Sequence, residues 1–185
     1  MPTKGQKVVD QFSGDTIEFL ETSADTNGER VTMKVSLISK GQTVDDHIHI
    51  LQEESFKILS GRMTYFLDGQ QHYLNAGEEV TLPKNKAHNH YNTDDAPVEY
   101  IQTITPGIDV DLFIENLFGM INDGKVKEGK LSFLQAMVTG KYLESPSRLA
   151  TIPLGIQNVL MNTVGPLARL LGYRAIYKKY TGVEK

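Results

Sequence analysis

At 185 residues, with 39% hydrophobic and 23% charged side chains, the chain has the composition of one globular domain long enough to bury its own core. A net charge of −4 gives no general attraction to a phosphate backbone, so nucleic acid is not expected as a partner. Cysteine is absent, which excludes disulfides, thiolate nucleophiles and zinc–thiolate sites. The opening MPTKGQKVVDQFSGD lacks the apolar core of a signal peptide, and the expected compartment is the cytoplasm.

From about Val8 to Pro106 short strands alternate with turn signals. Val31, Met33, Val35 and Leu37 alternate with Thr32, Lys34 and Ser36, the period of a half-buried strand. GQTVDDHIHILQEESFKILSG comes next, at residues 41–61, with two histidines one residue apart and two glutamates close behind. Met63, Tyr65 and Leu67 alternate in turn, and Asp68-Gly69 predicts a hairpin into His72, Tyr73 and Leu74. Val80 and Leu82 lead to Pro83, and residues 98–104, VEYIQTI, end before Pro106-Gly107. Short strands at such spacing predict a sandwich or a barrel.

After Pro106 the period becomes helical. Phe113, Leu117, Met120 and Ile121 share a helix face, with Asp109 placed to cap its start and Gly124 to stop it. Beyond a polar loop, NDGKVKEGK, further helices are predicted over Ser132–Tyr142, Leu154–Val164 and Pro166–Leu171. Residues 141–185 carry seven Lys/Arg against two Asp/Glu, a local charge of +5 that leaves −9 for the first 140. Between Arg148 and Arg169 run twenty uncharged residues, near the length of a membrane span. Two prolines, two glycines and five polar side chains argue against a span. Helices packed over the strands or on a partner subunit are expected instead, with an interfacial membrane helix as the lesser alternative.

Four of the five histidines fall in pairs, His47/His49 and His88/His90. Residues i and i+2 of a strand project to one face, so each pair can converge on a point, and imidazoles with a carboxylate make an open metal site. Parity selects the carboxylate. Glu54 shares its face with Phe56 and Ile58, whereas Glu53 shares its face with Ser55 and Lys57, and a lysine is costly to bury. Glu54 is therefore expected inside. His90 shares the face of His88, as a base beside the metal, a substitute ligand or a rim residue. Tyr65 is expected to line the interior, to orient a substrate or to fill space, and His72 to be solvated.

The series Gly41, His47-x-His49, Glu54 and Gly61, then Gly77, Pro83, His88 and Asn92, resembles the two tandem motifs of the cupin superfamily, with fifteen residues, 62–76, between them. The one departure is Asn85, where the family has glycine; asparagine tolerates left-handed backbone best among the other residues. The resemblance implies a mainly β fold, a double-stranded β-helix or cupin jelly-roll barrel over residues 1–106, with a helical C-terminal extension over 107–185. It also implies one divalent transition metal (iron, manganese, nickel, copper or zinc) held by His47, His49, Glu54 and His88, with coordination positions left open. The activity it implies is that of a metalloenzyme acting on a small organic substrate, oxygenase chemistry being the first assignment and isomerase chemistry another. Glu54, His90 and Tyr65 are the catalytic candidates. The alternative is a cupin that binds or senses a small molecule without turnover, and by analogy with the family a homodimer is expected.

Overall fold

The computed structural model describes residues 1–41, 45–126, 129–145 and 147–185. Lys127 and Glu128, within the expected polar loop, lie outside the described residues, as do residues 42–44 between Gly41 and His47.

Two antiparallel sheets share an interior. The strands in chain order are β1 (Lys7–Val9), β2 (Thr16–Glu21), β3 (Val31–Leu37), β4 (His47–His49), β5 (Glu53–Ser60), β6 (Arg62–Leu67), β7 (Gln70–Asn75), β8 (Glu79–Leu82), β9 (Ala87–Asn92), β10 (Val98–Thr105) and, far along the chain, β11 (Ser147–Leu149). The first sheet runs β1-β2-β3-β10-β5-β8 and the second β11-β4-β9-β6-β7. The expected period is visible in β3, where Val31, Met33, Val35 and Leu37 are buried and the residues between them half-buried. Strand β10, between β3 and β5, keeps the same alternation and turns Val98, Tyr100, Gln102 and Ile104 inward. Strand β5 buries Glu54, Phe56 and Ile58 and leaves Glu53 and Lys57 exposed, so parity selects the inward carboxylate correctly.

Turn chemistry fixes the register. Asp68 and Gly69 both adopt positive φ, 50° and 79°, as a two-residue hairpin between β6 and β7 requires. Asn85 takes the left-handed conformation expected of it, φ 64°. At Gly61, φ is 77° and a Cβ would sit 2.6 Å from the Pro97 carbonyl oxygen, so a side chain is excluded twice over. Asn92 is fully buried and pins the loop before β10, donating to the Ala96 carbonyl and accepting from the Asp94 N–H.

The C-terminal segment contributes α1 (Val110–Asn122), α2 (Phe133–Tyr142), α3 (Leu154–Leu170) and the short α4 (Lys178–Thr181). Three sequence-based expectations change here. Asp109 stands at the N-cap position of α1 but makes no capping hydrogen bond. Its buried carboxylate instead accepts from the Glu144 and Ser145 N–H groups, the Ser145 hydroxyl and the Lys185 ammonium, joining three distant parts of the segment. The two helices expected on either side of Pro166 are one continuous helix, α3. Its buried row of Gln157, Met161, Gly165 and Ala168 runs past the proline on both sides, and packing on α2 outweighs the lost hydrogen bond. Between α2 and α3, where no strand is expected, β11 pairs with β4, placing Leu149 opposite His47 and Ser147 opposite His49. Gln157 of α3 hydrogen-bonds both the N–H and the carbonyl of Leu149, which ties the helix to that strand.

Candidate metal centre

The register of the second sheet brings the histidines together. In β9, His88 stands opposite His47 of β4 and Leu67 of β6, while His90 stands opposite Tyr65. The rings of His47, His49 and His88 lie 4.6 to 5.3 Å apart, centroid to centroid. Glu54 reaches them from the first sheet, with Oε2 3.0 Å from His88 Nε2 and 3.7 Å from His49 Nε2. One potential ligand atom from each of the four residues lies within 4.8 Å of the others. The cluster bridges the two sheets.

Two of the rings are aimed by their backbone neighbourhood. His88 Nδ1 donates to the Lys86 carbonyl at 2.9 Å and His47 Nδ1 to the Asp45 carbonyl at 3.0 Å, leaving Nε2 of both for the centre. Gln102, on the inward face of β10, donates to Glu54 Oε1. Motif spacing does not single out Gln102, although its parity with Tyr100 and Ile104 places it inside.

Electrostatics keep the carboxylate ionised. Burial works to raise the Glu54 pKa, but the hydrogen bond with His88 and the field of the neighbouring histidines outweigh it, and the carboxyl lies below its usual range. Burial is the main influence on His47, pushing it down to about 4, and it lowers His49 as well; both imidazoles are neutral at pH 7. His88 moves the other way, because its contact with Glu54 overcomes burial.

This donor set fits a transition ion. With bonds of about 2.1 Å, the ligand atoms of an octahedral ion are about 3 Å apart when adjacent and about 4.2 Å when opposite. The observed separations of 3.0 and 3.7 Å fall in that range, and the widest, up to 4.8 Å, needs only a small inward movement. His49 Nδ1 is buried without a hydrogen-bond partner, and its Nε2 faces a carboxylate oxygen too distant for a hydrogen bond. Neutral imidazoles with one carboxylate suit iron, manganese, nickel, copper or zinc.

The remaining candidates lie beside this cluster. His90 points inward, its ring 4.6 Å from Phe56 and its Nε2 3.1 Å from the Tyr100 hydroxyl. Its Nδ1 is buried without a partner, and burial lowers its pKa. Among the described residues it is not part of the four-residue ligand group. Tyr65 is buried and stacks on His72 at 5.0 Å, and burial raises its pKa. His72, expected to be solvated, is half-buried because the hairpin register sets it opposite Tyr65 on the inner face.

Residues 34–104 match the Cupin domain family. Among curated proteins, the quercetin 2,3-dioxygenase of Bacillus subtilis is 30% identical over 98 residues, which is 52% of this chain and 28% of that protein. Protein SchB of Streptomyces halstedii is 25% identical over 93 residues, 50% of this chain and 67% of that protein. The chain thus spans little more than a quarter of the first relative and about two thirds of the second. Among solved structures, a sugar phosphate isomerase of the cupin superfamily from Silicibacter pomeroyi aligns with a TM-score of 0.46 at 17% identity, covering 54% of this chain and 70% of its own. KdgF from a Halomonas species aligns with a TM-score of 0.44 at 14% identity, covering 50% and 79%. No described helix is long and apolar enough to cross a membrane. Both motifs, the two-sheet fold and the family match agree in marking residues 34–104 as a cupin domain.

Proposed function

We propose that the chain binds one divalent first-row transition ion through His47, His49, Glu54 and His88 and uses it on a small organic substrate, with oxygenase chemistry as the leading assignment. The observation that carries this reading is the meeting, within 4.8 Å, of three imidazoles and a carboxylate. The similarity of about half the chain to a quercetin dioxygenase supports the choice of oxygenase. A bound ion would supply a Lewis acid and, if redox-active, a route for electrons to dioxygen.

The chain's own groups take separate tasks in this reading. The Lys86 and Asp45 carbonyls orient two of the imidazoles. Gln102 holds Glu54 Oε1, which leaves Oε2 turned toward the imidazoles. His90 and Tyr100 form a hydrogen-bonded pair beside the cluster, and Tyr65 with His72 forms an aromatic wall; both pairs are positioned to orient a substrate. Residues 1–106 serve as the metal-binding unit and 107–185 as an extension of it. Two copies pair through a free sheet edge, β7 or β8.

Elemental analysis of protein purified without added metal tests the first half of the proposal, and oxygen uptake with phenolic and diketone compounds tests the second. The expected result is about one metal per chain, as four converging ligands imply, with oxygen consumption that Glu54→Gln abolishes. Failure to take up any first-row ion would end the metal assignment. A loaded protein that holds an unchanged small molecule without turnover would instead establish the binding or sensing alternative.

A further inference from the structure

Helix α3 has two unlike faces. The inward row, Gln157, Met161, Gly165 and Ala168, packs on α2, and Gly165 lets the Lys141 side chain and the Met137 carbonyl come close. At about 100° per residue, the opposite face carries Ile156, Val159, Leu167 and Leu170. These are 53, 62, 58 and 84% exposed, and Leu171, at 70%, extends the strip. Apolar side chains this exposed, in register along one helix, mark an interaction surface.

Charge decides what covers it. Ile156, Val159 and Leu167 lie in the uncharged run between Arg148 and Arg169, and Leu170 and Leu171 follow directly after Arg169. Lys141, Arg148 and Arg169 form no ion pair with a carboxylate among the described residues. Lys141 hydrogen-bonds Asn162 on the flank of α3, Arg169 lies over the Tyr142 ring at 4.5 Å, and Arg148 bonds the Ser147 carbonyl. A second copy seated face to face would bring two sets of Lys141, Arg148 and Arg169 together in a low-dielectric contact, which like-charge repulsion opposes. An anionic lipid surface supplies what the strip and its border both lack, acyl chains for the leucines and headgroup charge for the cations. With no described helix long and apolar enough to cross, the helix lies on the bilayer rather than through it.

We propose that α3 is an interfacial helix that seats the protein on an anionic phospholipid bilayer, Ile156, Val159, Leu167 and Leu170 entering the acyl layer while Lys141, Arg148 and Arg169 face the headgroups. This surface stands apart from the metal assignment and holds whether or not the chain is an enzyme.

Flotation of the full chain with vesicles of phosphatidylcholine alone, and of phosphatidylcholine with phosphatidylserine, tests the proposal. Binding is expected to the anionic vesicles only, and to fall as salt rises. Leu170→Glu should reduce it by about tenfold or more, and Lys141→Ala by about fivefold. Both side chains are exposed, so unchanged thermal melting will separate a binding defect from unfolding. Failure to float with anionic vesicles, or equal binding to neutral ones, overturns the proposal. So does a dimer in sedimentation that Leu170→Glu splits, since the strip would then be a subunit interface.

Discussion

The two sheets share one interior but furnish it differently. The first contributes Phe19, Val31, Met33, Val35, Phe56, Ile58, Leu82 and Ile104, an apolar wall broken mainly by Glu54 and Gln102. The second contributes Met63 and Leu74, and with them His49, His88, His90 and Asn92, all directed inward or into the buried loop before β10. Stability and chemistry are thus divided between facing surfaces, and they meet where a single carboxylate of the apolar sheet reaches the imidazoles of the polar one. A bound ion would fasten the sheets at that seam.

The largest effect should come from the apolar side. Phe56 is 1% exposed and packs against both His90 and Tyr100, so Phe56→Ala should cost about 3–5 kcal/mol in urea denaturation. If the division holds, the folded variant still binds metal at saturation. A Phe56→Ala variant that unfolds no more readily than the parent would break the comparison. Glu54→Gln makes the opposite test, removing a charge at the seam while keeping its shape. Metal affinity should fall by more than about a hundredfold, since the loss of a direct ligand exceeds the effect of losing a supporting hydrogen bond. Titration calorimetry would measure it, and metal-free stability should change far less than in Phe56→Ala.

Much of this arrangement is legible in the sequence because alternation is a local signal. The buried rows of β3 and β5 come from period two, and Lys57 alone rules out Glu53 as the inward carboxylate. Convergence of the four candidate ligands is not local; it rests on the resemblance of two motifs, since no spacing rule says which strands will face each other. The three residues of β11 are too few to show a period, and their pairing is decided by the free edge of β4. Pro166 misleads because propensity counts one lost hydrogen bond, whereas packing along the buried row decides the outcome. Asp109 misleads for a related reason: the residue type suits a cap, but its tertiary partners are Glu144, Ser145 and Lys185.

Gln102 sharpens the comparison further, as the polar residue of the first sheet that supports Glu54 from the side away from the histidines. Gln102→Leu keeps the bulk but leaves Glu54 Oε1 without its donor. Metal affinity should weaken by about ten- to a hundredfold, the usual result of removing a hydrogen bond that orients a ligand. The effect should appear in the dissociation constant and not in the amount bound at saturation. A variant with unchanged affinity would mean that His88 alone positions the carboxylate.

The smallest effect belongs to Glu53, one residue from the proposed ligand Glu54 and on the other side of the sheet. Its side chain is exposed and its register partner in β10 is Thr105, whereas Glu54 pairs with Ile104 over the interior. Glu53→Gln should leave metal affinity within about twofold, as expected of a surface change that touches no buried group. A loss comparable to that of Glu54→Gln would require β5 to slip by one residue, and such a slip cannot be confined to one position. It would turn Lys57 into the interior and Phe56 out to solvent, so the apolar wall and the metal assignment would fail together.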